Sequence, residues 1–172
     1  MEGNVILIGF MGAGKSTVGK LLARALGHEF VDTDARIEAE AGRTIPEIFA
    51  AEGEPGFRDL ESAALREVLQ GGPRVISTGG GVVLRPENRE AIRRGGHCVW
   101  LAVDPATVWD RVRREAHRPL LRTPDPEGTI RRMLAEREPV YRETAHWCLD
   151  TAGRDPESLV REMVDWLHER SA

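Results

Sequence analysis

Four consecutive apolar residues, Val5-Ile6-Leu7-Ile8, stand near the start of the chain. A run without alternation leaves no face for water, so it predicts a central strand of a parallel sheet, covered on both sides. From Thr17 the period changes. Val18, Leu21, Leu22, Ala25 and Leu26 recur at helical spacing, and Gly27 predicts the stop. A second short strand, Glu29-Phe30-Val31, runs into Asp32-Thr33-Asp34, setting two carboxylates at a strand's C-terminal end, where open α/β sheets bind ligands. Residues 35–70 are helical in pattern, and Gly42, Pro46, Gly53, Pro55 and Gly56 divide them into several short helices. Thr44 is placed to cap one of these, with Glu47 at the capping-box spacing.

The alternation continues to the end of the chain. Strands are predicted over 74–77, 97–103 and 147–149, and a helix over 86–94 that Gly95-Gly96 ends. Asp104-Pro105 starts another helix by a polar cap and a first-turn proline, and it ends near Arg114. Asp125 and Thr123 both qualify as cap of the next, whose Ile130, Met133 and Leu134 share a face and which continues through 137–141. The last helix follows a loop at 151–156 and turns Leu159, Val160, Met163, Val164 and Leu167 to the core. Five strands separated by helices indicate a three-layer α/β fold with a parallel sheet, because right-handed crossovers bury both sheet faces. Trp109, Trp147 and Trp166 read as packing residues, and His117 and His146 as structural or surface residues without ligand spacing.

Composition narrows the partners. The length of 172 residues suits one domain with a full core. A net charge of -4 leaves no basic excess of the kind that binds nucleic acid. Every basic residue except Lys15 and Lys20 is arginine, so a local arginine cluster for a small anion remains available. Cys98 and Cys148 lie in strand-like apolar runs without metal-ligand spacing and are expected to be buried thiols. No signal peptide precedes the first strand and no apolar run approaches membrane-spanning length, so no membrane partner and a cytoplasmic location are expected.

The chemistry starts at Gly9-Phe10-Met11-Gly12-Ala13-Gly14-Lys15-Ser16, between the first strand and the first helix. This is the spacing of a phosphate-binding loop, whose glycines let backbone N–H groups converge on phosphate oxygens at a helix N-terminus. Lys15 is placed to reach the β- and γ-phosphates, and Ser16 to ligate Mg²⁺. Arg58 and Glu61 form an i,i+3 pair, which either holds a guanidinium for a ligand or is an ordinary surface ion pair. Gly79, Gly80 and Gly81 follow the third strand, where they serve close approach of a ligand or a tight turn. Arg111, Arg113, Arg114, Arg118 and Arg122 crowd a proline-bearing excursion that reads as a lid, over about 112–125, or as a solvated turn. The Asn-Lys-x-Asp element of a switch GTPase is missing, as is the apolar strand ending in Asp-Glu of a motor ATPase. Transfer of a phosphoryl group to a polar, anionic small molecule fits best.

Taken in order, GFMGAGKST at 9–17, the Asp32/Asp34 pair, Phe57-Arg58-Asp59-Leu60-Glu61, Thr78-Gly79-Gly80-Gly81, Arg118-Pro119-Leu120-Leu121 and Arg137-Glu138-Pro139-Val140-Tyr141-Arg142 strongly resemble shikimate kinase over essentially the whole length. The resemblance implies a single-domain, three-layer P-loop NTPase fold of the nucleoside monophosphate kinase type, with a five-stranded parallel sheet, a substrate-binding helical segment at about 35–70 and the lid. It implies ATP-dependent phosphorylation of the 3-hydroxyl of shikimate, on the route to chorismate and the aromatic amino acids. Gly12, Ala13, Gly14, Lys15, Ser16 and Thr17 would hold the ATP phosphates, and Arg111, Arg154 and Pro156 would line the adenine. Ser16 would ligate Mg²⁺ directly and Asp32 through water. Arg58 and Arg137 would grip the shikimate carboxylate, Asp34 the ring hydroxyls, and Gly79, Gly80 and Gly81 would border the ring. Lys15, Asp34 and Arg118 would be catalytic, Asp34 either taking the hydroxyl proton or only orienting the hydroxyl. A monomer is implied. Two alternatives are a related small-molecule kinase, such as a gluconate kinase, and a catalytically silent nucleotide-binding relative; the glycine triplet, the Phe57-Arg58-Asp59-Leu60-Glu61 element and the Arg118 segment favour shikimate.

Overall fold

The computed structural model describes residues 2–115 and 122–172. Its centre is β1 (Asn4–Ile8), buried at every position, as a run with no polar face requires. Beside it lie β3 (Arg74–Ser77) and β4 (Gly96–Ala102), with Ile6 opposite Ile76 on one side and Cys98 on the other. The edges are β2 (Glu29–Asp32) and β5 (Trp147–Asp150), giving the order β2-β3-β1-β4-β5, all parallel. Parallel strands deliver all their C-terminal ends to one rim, and the loops after β1, β2 and β3 meet there.

The helices are α1 (Lys15–Leu26), α2 (Thr33–Ala41), α3 (Ile45–Gln70), α4 (Pro86–Gly95), α5 (Pro105–Val112), α6 (Pro126–Thr144) and α7 (Pro156–Ser171). Packing pairs α1 with α7, and α4 with both α3 and α6. The main core joins the sheet to these helices, while Ile37, Ile48, Phe57 and Ala64 form a separate, smaller cluster between α2 and α3.

Several local expectations are refined. Helix α1 begins at Lys15, two residues before the apolar period does, because Gly14 takes a left-handed conformation that turns the chain into it. Within it Ala23 is buried and Ala25 is exposed. Asp32 ends β2 and caps α2, so Asp34 sits in a helical first turn rather than at a strand end. Gly53 alone breaks α3, at φ 70°. Pro55 follows in the first turn after that break, where its missing N–H costs nothing. Thr44 caps the helix as expected, through the Glu47 N–H at 3.3 Å, and Asp125 rather than Thr123 caps α6. A 3₁₀ turn over Val82–Leu84, which no periodicity announces, follows the glycine run. Cys98 is buried, but Cys148 is exposed because β5 is an edge strand. Trp147 stacks on Trp166 at 5.0 Å, and Trp109 packs against the main core. His146 Nδ1 accepts the Cys98 N–H at 3.0 Å, a structural role. His117 lies outside the described residues.

Candidate active site

One cleft of about 480 Å³ opens at the C-terminal rim of the strands and has two chemically different ends. The first is the loop between β1 and α1. Gly12 and Gly14 adopt positive φ, and a Cβ on Gly9 would meet the Leu101 carbonyl at 2.7 Å. Other residues would therefore strain the loop or collide with β4. Lys15 is almost fully buried, and its Nζ donates to the carbonyls of Gly9 at 2.6 Å and Phe10 at 2.9 Å. Ser16 Oγ donates to Asp32 Oδ2 at 2.9 Å, while Asp32 Oδ1 accepts the N–H groups of Asp34 and Ala35. One carboxylate thus ties the phosphate loop to the start of α2. Among the described residues no three acidic, histidine or cysteine side chains cluster as for a metal cage. A hydroxyl beside a single carboxylate is the hard-oxygen set that suits Mg²⁺, which keeps most of its water and takes phosphate oxygens. Arg111, from α5, donates to the Gly12 carbonyl.

The other end is made of side chains from three helices set over the glycine run after β3. Arg58 and Glu61 lie after the Gly53 break in α3, and Arg58 Nη1 donates to Glu61 Oε1 at 2.8 Å. Their side chains are 13% and 1% exposed, which removes the surface ion-pair alternative. Burying such a pair costs desolvation that only well-made bonds offset. Burial raises the Glu61 pKa, and Arg58, Arg137 and Arg85 pull it back. Asp34 is pushed up to about 6, first by burial and then by Glu61 and Asp32, against Lys15 and Arg58.

The glycine run is explained here by its neighbours. A Cβ on Gly79 would lie 2.8 Å from Asp34 Oδ1 and 3.0 Å from Glu61 Oε2, and one on Gly81 would collide with the Arg58 guanidinium. The chain's own side chains fill the space. Both carboxylate oxygens beside Gly79 are buried without hydrogen-bond partners among the described residues. Such atoms normally find a partner. Arg137, on α6, stands 5.5 Å over the Phe10 ring and 3.4 Å from a Cβ on Gly80. One turn on, the buried Tyr141 donates its hydroxyl to the Gly80 carbonyl at 2.5 Å.

Of the residues singled out in the sequence, Gly12, Gly14, Lys15, Ser16, Thr17, Asp32, Asp34, Arg58, Gly79, Gly80, Gly81 and Arg137 line this cleft. Ala13 is buried behind the loop. Arg111 touches the loop without lining the cleft, and Arg154 is tied to Glu162 at 2.5 Å and Ser158 at 3.1 Å at the start of α7, beside Pro156. Arg118 lies outside the described residues. Sequence reasoning passed over Glu115, which lines the cleft, and Tyr141, whose signal was its position one helical turn after Arg137.

A family model described as shikimate kinase matches residues 11–168. A shikimate kinase of Symbiobacterium thermophilum is 49% identical over 169 residues, covering 97% of each chain. One from Rhodopseudomonas palustris is 50% identical over 167 residues, covering 96% of this chain and 81% of its own. Among solved structures, a shikimate kinase from Acinetobacter baumannii in complex with shikimate superposes with a TM-score of 0.94 at 39% identity, over 98% of this chain and 94% of that one.

Proposed function

The chain belongs to the shikimate kinase family, and from that premise we propose how the cleft divides the transfer of a phosphoryl group from ATP to the shikimate 3-hydroxyl. The β1–α1 loop holds the ATP phosphates through its backbone N–H groups and the α1 N-terminus. Lys15 exchanges its loop carbonyls for the β- and γ-phosphates, where its point charge meets the charge developing on the transferring group. Ser16 and Asp32 would hold Mg²⁺, Asp32 through water. The ion when bound neutralises phosphate charge. Arg58 and Arg137 take the shikimate carboxylate, and Gly79, Gly80 and Gly81 border the ring. Asp34 accepts a hydrogen bond from the reacting hydroxyl and orients it. Residues about 35–70 act as the acceptor-binding segment and about 112–125 as the lid, with Arg118 closing on the phosphoryl group. Arg111, Arg154 and Pro156 lie along the adenine.

The observation that carries this reading is the bare Asp34 Oδ1, held among Gly79, Glu61 and Arg58 in the cleft that Lys15 also lines. A buried acceptor with no partner, between a phosphate loop and a guanidinium, suits a hydroxyl on a ring that bears a carboxylate. A full-length relative at 49% identity favours shikimate over gluconate. The test is ADP release from MgATP with shikimate, with gluconate and without acceptor. Release that depends on shikimate supports the assignment; equal release with gluconate, or without acceptor, defeats it. Size-exclusion chromatography with light scattering tests the proposed monomer. No helix among the described residues is long and apolar enough to cross a membrane.

A further inference from the structure

Arg85, Arg89 and Arg93 stand four residues apart along α4 and its cap, so they fall on one stripe of the helix. Each reaches a different neighbour. Arg85 Nη1 pairs with Asp59 Oδ1 at 2.9 Å and donates to Ser62 Oγ at 3.4 Å, while its Nη2 donates to the Pro55 carbonyl at 3.4 Å. All three partners lie beyond the Gly53 break, on the part of α3 that carries Arg58. Arg89 Nη1 donates to the carbonyls of Val83 at 2.8 Å and Leu84 at 3.3 Å, closing the 3₁₀ turn after the glycine run. Arg93 Nη1 donates to the carbonyls of Glu143 at 2.8 Å and Thr144 at 3.3 Å, at the end of the helix that carries Arg137. The last carbonyls of a helix have no partner within it and bear its negative end, so a guanidinium there satisfies both needs.

We propose that this arginine row is a positioning device for the acceptor end of the cleft. It fastens α3, the turn after the glycine run and α6 to one helix, and thereby sets the spacing of Arg58 and Arg137. The proposal rests on the reading that those two arginines grip the acceptor's carboxylate. Gly53 interrupts α3, and the part beyond it is held on two sides: Phe57 and Ala64 pack in the small cluster with α2, while the side toward α4 is tied by Arg85 to Pro55, Asp59 and Ser62. A carboxylate held by two guanidinium groups is sensitive to their separation, as any positioned contact is. Arg94 serves as the internal contrast. It is exposed and pairs with Glu90 on its own helix at 2.9 Å.

The test is steady-state kinetics of the full chain with MgATP and varied shikimate. Arg85→Ala and Arg93→Ala are each expected to raise the shikimate KM about fivefold while the KM for ATP stays within about twofold. Arg94→Ala is expected to move neither. Because Arg85 acts through Arg58, adding Arg85→Ala to Arg58→Lys should raise the shikimate KM less than Arg85→Ala does alone. Arg85→Lys and Arg93→Lys keep the charge and one donor; they should recover part of the affinity, and they carry the test if an alanine variant does not fold. A lowered Tm with both KM values unmoved, or both rising together, means general scaffolding and overturns the proposal. An unchanged shikimate KM in Arg58→Lys withdraws the carboxylate reading and the proposal with it. A raised KM in Arg58→Lys, with Arg85→Ala and Arg93→Ala silent, overturns the proposal alone.

Discussion

The two ends of the cleft are built in opposite ways. The phosphate end is one contiguous stretch of backbone, rooted in the fully buried β1 and joined from elsewhere by Asp32 and Arg111. The acceptor end has no contiguous core of its own. It gathers side chains from α2, α3 and α6 over the glycine backbone of the turn after β3, and part of its support is the small cluster of Ile37, Ile48, Phe57 and Ala64. A backbone-made site is decided by local conformation and tolerates rearrangement around it. A site made of distant side chains is decided by the spacing between elements, so it is where affinity for one acceptor over another is set and where remote changes are felt.

The comparison is broken most severely at Lys15. Lys15→Ala should lower kcat about a thousandfold, since a charge aimed at the transferring group is lost, while the shikimate KM barely moves. Steady-state kinetics with both substrates varied checks the split. Asp34→Asn comes next: turnover should fall about a hundredfold with ATP affinity intact by calorimetric titration, and near-normal turnover would remove Asp34 from the reaction. Gly79→Ala tests the acceptor end through space rather than charge. Its methyl would press on Asp34 and Glu61, so kcat/KM for shikimate should drop about thirtyfold at unchanged ATP KM. Arg58→Lys should raise the shikimate KM about tenfold and spare kcat, because an ammonium cannot make the bidentate fork.

The smallest effect belongs to neither end. His146, at the opposite rim of the sheet, accepts the Cys98 N–H through a nitrogen that must be unprotonated. Burial, and then the charges of Arg93, His97 and Arg170, lower its pKa. A histidine held below its ordinary value contributes stability that is complete above about pH 6.5 and is lost as pH falls through the lowered value. Tm should therefore decline on acidification from neutral pH. His146→Gln, which offers an oxygen acceptor that does not titrate, should flatten that decline without altering either KM. An unchanged slope would mean that other groups carry the acid sensitivity.

What was legible in the chain was whatever neighbours in sequence decide. The unbroken apolar run of β1, the phosphate loop, the caps at Thr44, Asp104 and Asp125, and the alternation of strands and helices are short-range facts, and they lead directly to a parallel α/β fold with a phosphate site at its rim. Asp34, Arg58 and Arg137 were recognisable as residue types at suggestive places. Their partnership came from the resemblance of the whole ordered set of motifs, not from any local pattern. That Asp32 both caps α2 and holds Ser16, that the Arg58–Glu61 pair is buried, that Gly79 and Gly81 are small because Asp34, Glu61 and Arg58 occupy their side-chain space, and that Arg85 and Arg93 reach α3 and α6 all depend on how the layers pack around the strand order β2-β3-β1-β4-β5. Local pattern fixes a residue's conformation and which face it shows, because those follow from the dihedral period. It carries no information about which distant residue will stand opposite that face, since that is settled by the competition of all the burial and pairing energies at once when the layers close.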